Sequence, residues 1–593
     1  MLLSSITNNR ENFTEKHPFS QSCYPVLDFK QEYLGIPTDF NPDGVIPFKY
    51  YLPKNHKLEN LTLTKIHANV FKRQAQSQQN IDSIKLVPII GLTLDSNELD
   101  HFPKIFQNHP SITRLRLANN DIESLKGLPS NLECLEISGN QCVGFSLLEI
   151  HGLLKLKSLE LEACGFFKIP DPQIFTQLSY LTSLSLAGNL LTEIPSELAF
   201  CRKLASLDLS ENQISKIPEN TLSVFPLLED LNLSGNELKT FICPESVKNL
   251  LIHSNCLENF EITDNLEQLQ ISDNKLRSLD CSKKKSLIWI DFSMNKLKNL
   301  PKNVHQTGLK YLHARDNEIQ NLPRSISRLR NTLQVLDLSD NFLDTDLHEN
   351  LAGLDSLKIL NFSGNSGFRM KKIHAKFLMS TVSELNLDGT GLGYQGLVDV
   401  LSFSGENLEI LSVKNCELEK LPNLPVWGNA CGLRNIDFSE NSLKNVPEIV
   451  FQALTNLETL NLNGNCLNGK NPLAGIKNFS KIIELQVSGN KINRLEKILL
   501  ELRGLRNLEV LDFGENPVEG VFLERGIGLM VELQRQVFAV RKIEKFVKGK
   551  KMIRRFRRTV QLAREKSASE GKGKGKKGKG KKGSEKKGSQ KKK

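Results

Sequence analysis

No two of the eleven cysteines stand in a C-x-x-C arrangement, and only Cys23 falls within the first 133 residues. Zinc and dithiol redox sites need thiols close in sequence, so neither is expected. A disulfide-closed N-terminal cap is excluded for the same reason. The opening residues, MLLSSITNNRENF, lack a basic segment, and Leu2–Leu3 is too short an apolar run for a secretory signal. No run of about 18 apolar residues occurs, so no membrane-spanning helix is expected. Without an export signal, the N-x-S/T sequons at Asn12, Asn60, Asn232, Asn361 and Asn478 read as chance. These absences fit a reducing, cytoplasmic location.

Charge is unevenly placed. The formal charge is +11, yet residues 541–593 hold 24 Lys and Arg against four Glu, a net +20 that leaves −9 for residues 1–540. The chain is an acidic body with a strongly basic end.

What the sequence has in abundance is one phrase, L-x-L-x-x-N-x-L, in forms such as LDLSENQI, LNLSGNEL and LQVSGNKI. Its Asn position recurs from Asn97 to Asn516 in 19 copies, a mean period of about 23 residues, with Cys164, Thr390 and Cys416 as hydrogen-bonding replacements. The two leucines point into a core while the residue between them faces out. The Asn amide turns inward to satisfy backbone groups left open by the turn after the strand. One repeat cannot bury its leucines alone, but a stack shares them.

This ladder resembles the leucine-rich repeat family over residues 58–525. The resemblance implies an α/β solenoid, a horseshoe with a parallel β-sheet on its concave side and a mixed loop and short-helix convex face. Eight repeats carry proline six residues after the ladder position, at Pro103, Pro170, Pro195, Pro218, Pro301, Pro323, Pro422 and Pro447. That L-x-x-L-P form is similar to the intracellular Ras-group repeats, which implies a signalling scaffold and partners such as a small GTPase or a phosphatase. GTGLGYQGLVDVLSF, from Gly389, resembles the helical return of ribonuclease-inhibitor repeats.

Four segments follow: an irregular N-terminal cap at 1–57, a solenoid of about 19–20 repeats at 58–525, a capping and basic helix at 526–565, and a disordered Lys/Gly-rich tail at 566–593. Met530, Leu533, Val537, Val540, Ile543 and Val547 carry the spacing of the capping helix.

Two enzyme-like motifs are set aside. Gly391-x-Gly393-x-x-Gly396 fits a dinucleotide fingerprint, but a monotonic parallel stack has no topological switch point to make a nucleotide crevice. Gly464-x-x-x-x-Gly469-Lys470 fits a P-loop, but Asn471 stands where a Ser or Thr should hold magnesium. The histidines are dispersed, with no H-E-x-x-H and no G-x-S-x-G. The expectation is a protein that is not an enzyme and takes no cofactor and no metal.

Residues two, four and six before each ladder position should point out from the sheet. These rows hold many acids, so the inner face should be moderately negative. Position minus six deviates: Trp289, Tyr311, Val335 and Ile359 stand on successive rungs, with Asp291, His313, Arg315 and Asp337 beside them. Trp, Tyr and Arg dominate binding hot spots, so Trp289, Tyr311, His313, Arg315, Val335, Asp291 and Asp337 form the candidate partner-binding face. Covering a rung is the plainer role for the same residues.

The basic end suits polyanions. MIRRFRRTVQLARE, residues 552–565, sets Arg554, Arg555, Arg557 and Arg558 around an apolar stripe, and Lys576 and Lys577 follow in the tail. Such a segment fits an acidic membrane, a calmodulin-type partner or nucleic-acid phosphates. It also resembles a nuclear import patch, or a solubilising tail with no partner, and it could fold back on the acidic face. The leading expectation is a protein-binding scaffold, and the rival is a polyanion-directed protein localised by its tail.

Overall fold

A computed structural model describes residues 58–62, by their backbone, and 89–517, apart from 141–145, 345–350, 352, 370–380, 405, 469–470, 494–497, 499–500, 503–504 and 506. The expected N-terminal cap, C-terminal helix and basic tail lie outside the described residues.

Each L-x-L phrase forms a short strand whose middle residue is buried. Trp289–Asp291 shows the pattern: Ile290, and Phe292 just after it, are fully enclosed, while Trp289 is half-buried on the opposite face. The chain divides into two units, Met1–Leu357 and Lys358–Lys593. Among the described residues the first holds thirteen strands, from Leu58–Thr62 to Val335–Asp337, each parallel to the next in chain order. The second holds seven, from Ile359–Asn361 to Val510–Asp512, paired the same way. This is an α/β leucine-rich repeat solenoid, and the order within each unit has no crossover.

The ladder residues hold neighbouring repeats together. Asn295 donates to the carbonyls of Ile271 (3.0 Å), Phe292 (3.0 Å) and Ser293 (3.1 Å), and its Oδ1 accepts from Leu276 N (2.9 Å). One buried amide thus closes its own turn and ties it to the repeat before. The replacements keep part of this set: Thr390 Oγ1 donates to Leu387 O (2.6 Å), and Cys416 Sγ to the same carbonyl (3.0 Å).

The residue before every ladder position sits at positive φ, from Ser96 to Glu515. Gly occupies it in several repeats, as at Gly139 and Gly235, because a Cβ is disfavoured there. Met294, at φ 55°, is an expensive choice for that place.

The return segments begin where proline predicts. Pro103, Pro195 and Pro323 immediately precede short 3-10 turns, and Pro447 precedes helix α2 (Glu448–Ala453). A fixed φ with extended ψ sets the chain's entry into the turn. Helix α1 (Gly393–Phe403) supplies the helical return expected in the stretch from Gly389. Gly391 lies against the guanidinium of exposed Arg369, which donates to Ser366 O (2.7 Å) and Phe368 O (3.2 Å). In the P-loop-like stretch, Asn465 is a ladder amide bonded to Phe438 O and Leu462 O, and Gly469–Lys470 lie outside the described residues.

Candidate functional site

The row four residues before the ladder shows why most acids on this face are structural. Asp208 Oδ1 accepts from Ser210 N (2.8 Å) and Ser210 Oγ (2.6 Å), and Asp291 and Asp337 accept from Ser293 N (2.9 Å) and Ser339 N (3.0 Å). The carboxylate closes the strand's exit by satisfying the amide two residues on. Where the side chain cannot do this, the preceding repeat supplies the oxygen. Ala118 N donates to Asp95 Oδ1 (2.9 Å), Lys414 N to Asp388 Oδ1 (2.7 Å), and Arg315 N to Ser293 Oγ (3.2 Å). The imidazole of His313 is thereby released from the capping task.

The rungs around His313 differ from the rest in what they display. Trp289 pairs in register with Tyr311, Asp291 with His313, and His313 with Asp337. Trp289 and Tyr311 are half-buried, and the Trp289 and His313 rings lie 5.8 Å apart at 47°. Met294, in the turn after the Trp289 strand, is 49% exposed. Arg315 is exposed and paired with Asp340 at 2.9 Å.

Four of the expected contact residues are more enclosed than the alternation of the strand implies. Val335, Asp291, Asp337 and His313 are only 4–6% exposed. The correction has a geometric cause: parallel strands stand about 4.8 Å apart, so tall side chains shade short ones on the next rung. Val335 offers a partner little area and packs as part of the face. His313 is enclosed, and its Nε2 is buried without a hydrogen-bond partner. The polyanion candidates Arg554, Arg555, Arg557, Arg558, Lys576 and Lys577 lie outside the described residues.

Elsewhere on the face the charges satisfy one another. Arg116 bridges Asp95 (3.0 Å) and Glu136 (2.9 Å); burial opposes its charge, but the two acids outweigh that and raise its pKa. Burial pushes the Asp388 carboxyl up to about 6, against hydrogen bonds from Ser412 Oγ (2.6 Å) and Lys414 N. Among the described residues no group of His, Cys, Asp and Glu has the geometry of a metal site.

A second feature escapes the sequence reading. A cavity of about 340 Å³ on the return-loop side is lined by Phe167, Ile169, Pro172, Leu191, Pro195 and Glu197, with Phe167 76% exposed. The signal in the sequence is the Phe166–Phe167 doublet, which puts an aromatic three residues after a ladder position.

The leucine-rich repeat family matches residues 171–238, and again 332–354 and 456–477. Toll-like receptor 9 of Felis catus is 28% identical over 356 residues, 58% of this chain and 31% of its own length. Osteomodulin of Bos taurus is 28% identical over 282 residues, 44% of this chain and 64% of its own. The chain thus spans less than two thirds of these relatives. A solved leucine-rich repeat protein of Leptospira interrogans is 24% identical, with a TM-score of 0.46, over 77% of this chain and 97% of that one. No helix among the described residues is long and apolar enough to cross a membrane. The ladder, its hydrogen bonds and the family matches agree that this chain carries leucine-rich repeats built as an α/β solenoid.

Proposed function

We propose that the protein is a non-enzymatic interaction scaffold or adaptor in intracellular signalling, binding a protein partner on the sheet face around Trp289 and Tyr311. One observation carries this reading: Trp289 and Tyr311 stand in register on adjacent rungs, and in the turn that follows the Trp289 strand Met294 keeps an exposed apolar side chain at a left-handed position that favours glycine. Contiguous exposed apolar area on a repeat face has a use in most proteins that keep it. The intracellular setting draws support from cysteines scattered singly along the sequence, with no C-x-x-C pair. Resemblance to Ras-group repeats makes a small GTPase or a phosphatase a reasonable first partner to try.

The test is quantitative proteomics of material recovered with the intact chain and with a Trp289→Ala/Tyr311→Ala variant of unchanged circular dichroism. Loss of a discrete set of proteins is expected. A variant that keeps its whole set removes this face as the binding site.

The strongly basic residues 541–593 favour a second reading, in which a polyanion localises the body. Nucleic acid or acidic lipid that co-purifies with the chain at about 150 mM salt, and is released at about 500 mM, would support it over the first.

A further inference from the structure

The Trp289 face is chemically one-sided. The indole and phenol rings present electron-rich faces. Asp291 and Asp337 flank His313 on either side in the next row, with their carboxylates enclosed. Exposed Asp273, Asp316 and Asp340 take the left-handed positions around Met294. His313 Nε2, buried and without a partner, accepts an N–H when the ring proton is on Nδ1. The local cations are accounted for or displaced: Arg315 is paired with Asp340, and Lys275 and Lys296 lie beyond the ladder asparagines.

We propose that this face holds a cationic side chain, a lysine or arginine of the partner protein. The side chain lies against Trp289 and Tyr311, and the enclosed His313 turns to bring Nε2 to it between the two carboxylates. The proposal rests on the reading of this face as the partner site and gives that site its chemistry. A carboxylate ligand would meet Asp291 and Asp337 as like charges, and an aliphatic one would leave His313 Nε2 unsatisfied. A cation answers both features at once. The release of His313 from strand capping, with Ser293 Oγ serving Arg315 N instead, leaves the imidazole without a capping bond to hold it as it turns toward this contact.

The chain carries its own reporter. Of its two tryptophans, Trp427 is fully buried, so a ligand-dependent change in emission reads Trp289. The full chain is titrated with blocked glycine-arginine-glycine and glycine-lysine-glycine peptides, with the citrulline peptide as a neutral isostere and the glutamate peptide as an anion. Saturable responses on the order of 1 mM are expected for the two cations, with citrulline at least about tenfold weaker. An Asp291→Asn/Asp337→Asn variant keeps the capping oxygens and should shrink the arginine-to-citrulline ratio to about twofold or less. If that variant does not fold, the ratio in the natural chain still decides. Equal binding of citrulline and arginine, preference for glutamate, or no saturation up to about 20 mM overturns the cationic assignment. Any of these results leaves the partner face itself to be judged by the Trp289→Ala/Tyr311→Ala comparison.

Discussion

At the scale of single residues, function and stability pull apart at Met294. Its φ of 55° is disfavoured for any side chain with a Cβ. Met294→Gly should therefore raise stability by about 0.5–1 kcal/mol in chemical denaturation, while weakening partner capture. A methionine kept only for packing would not produce that opposition. Asp388 makes a second residue-scale prediction. Its folded pKa of about 6 lies above the ordinary value of 3.8, so the folded chain binds the proton more tightly than the unfolded chain. The resulting stabilisation is full below about pH 4 and is lost as pH rises through about 6. Asp388→Asn keeps an oxygen for Ser412 and Lys414 N, and removes this slope. Its unfolding free energy in urea should match that of the natural chain near pH 4 and exceed it at pH 7.5, by about 1–2 kcal/mol once partial exposure is allowed for. Neither residue advertises this in the sequence. Met294 looks like a spacer, and Asp388 looks like the consensus acids that cap strands.

At the scale of elements, the repeat is a hydrogen-bonded unit as much as an apolar one. Asn295→Ala removes four hydrogen bonds and leaves the Leu276 amide without its acceptor in a dry core, while the Ile271, Phe292 and Ser293 carbonyls keep donors from Asn274, Asn317 and Asp273. The expected loss is about 1–3 kcal/mol by urea unfolding, beyond that of an ordinary surface change. Gly432 faces a different constraint, because a Cβ there would run into the Glu406 carbonyl oxygen of the previous repeat. Gly432→Ala forces backbone movement and should cost about 1–3 kcal/mol, measured the same way. The strands, the ladder asparagines and the proline-led return turns were all legible beforehand, since each follows from a residue type at a set offset. The start of α1 at Gly393 was less so, because three glycines in a row of six obscure where a helix begins. The crowding at Gly432 was not legible, as it depends on a carbonyl 26 residues away.

At the scale of the whole molecule, the cysteines test the core across both units. Burial pushes Cys201, Cys243 and Cys281 up to about 12 and Cys416 up to about 11. At pH 8 the native chain should leave these four unmodified by a thiol reagent over an hour, as mapped by peptide mass spectrometry. In about 6 M guanidinium chloride all four should react. Modification of any of them in the native chain would mean that its repeat opens.

The fold was determined by the sequence almost alone, because the 23-residue period, the inward leucines and the inward asparagines are local choices repeated until only a parallel stack can bury them. The sequence also singled out Trp289 and Tyr311, since large aromatics interrupt a row of small polar residues. Tertiary structure alone decided which neighbours remain accessible and what they do. Whether Val335 is shaded, whether Asp291 caps its own strand, and whether His313 is released from that task depend on side chains one rung away. Those side chains lie about 20 residues distant along the chain and about 4.8 Å distant in space, a proximity that only the paired strands create.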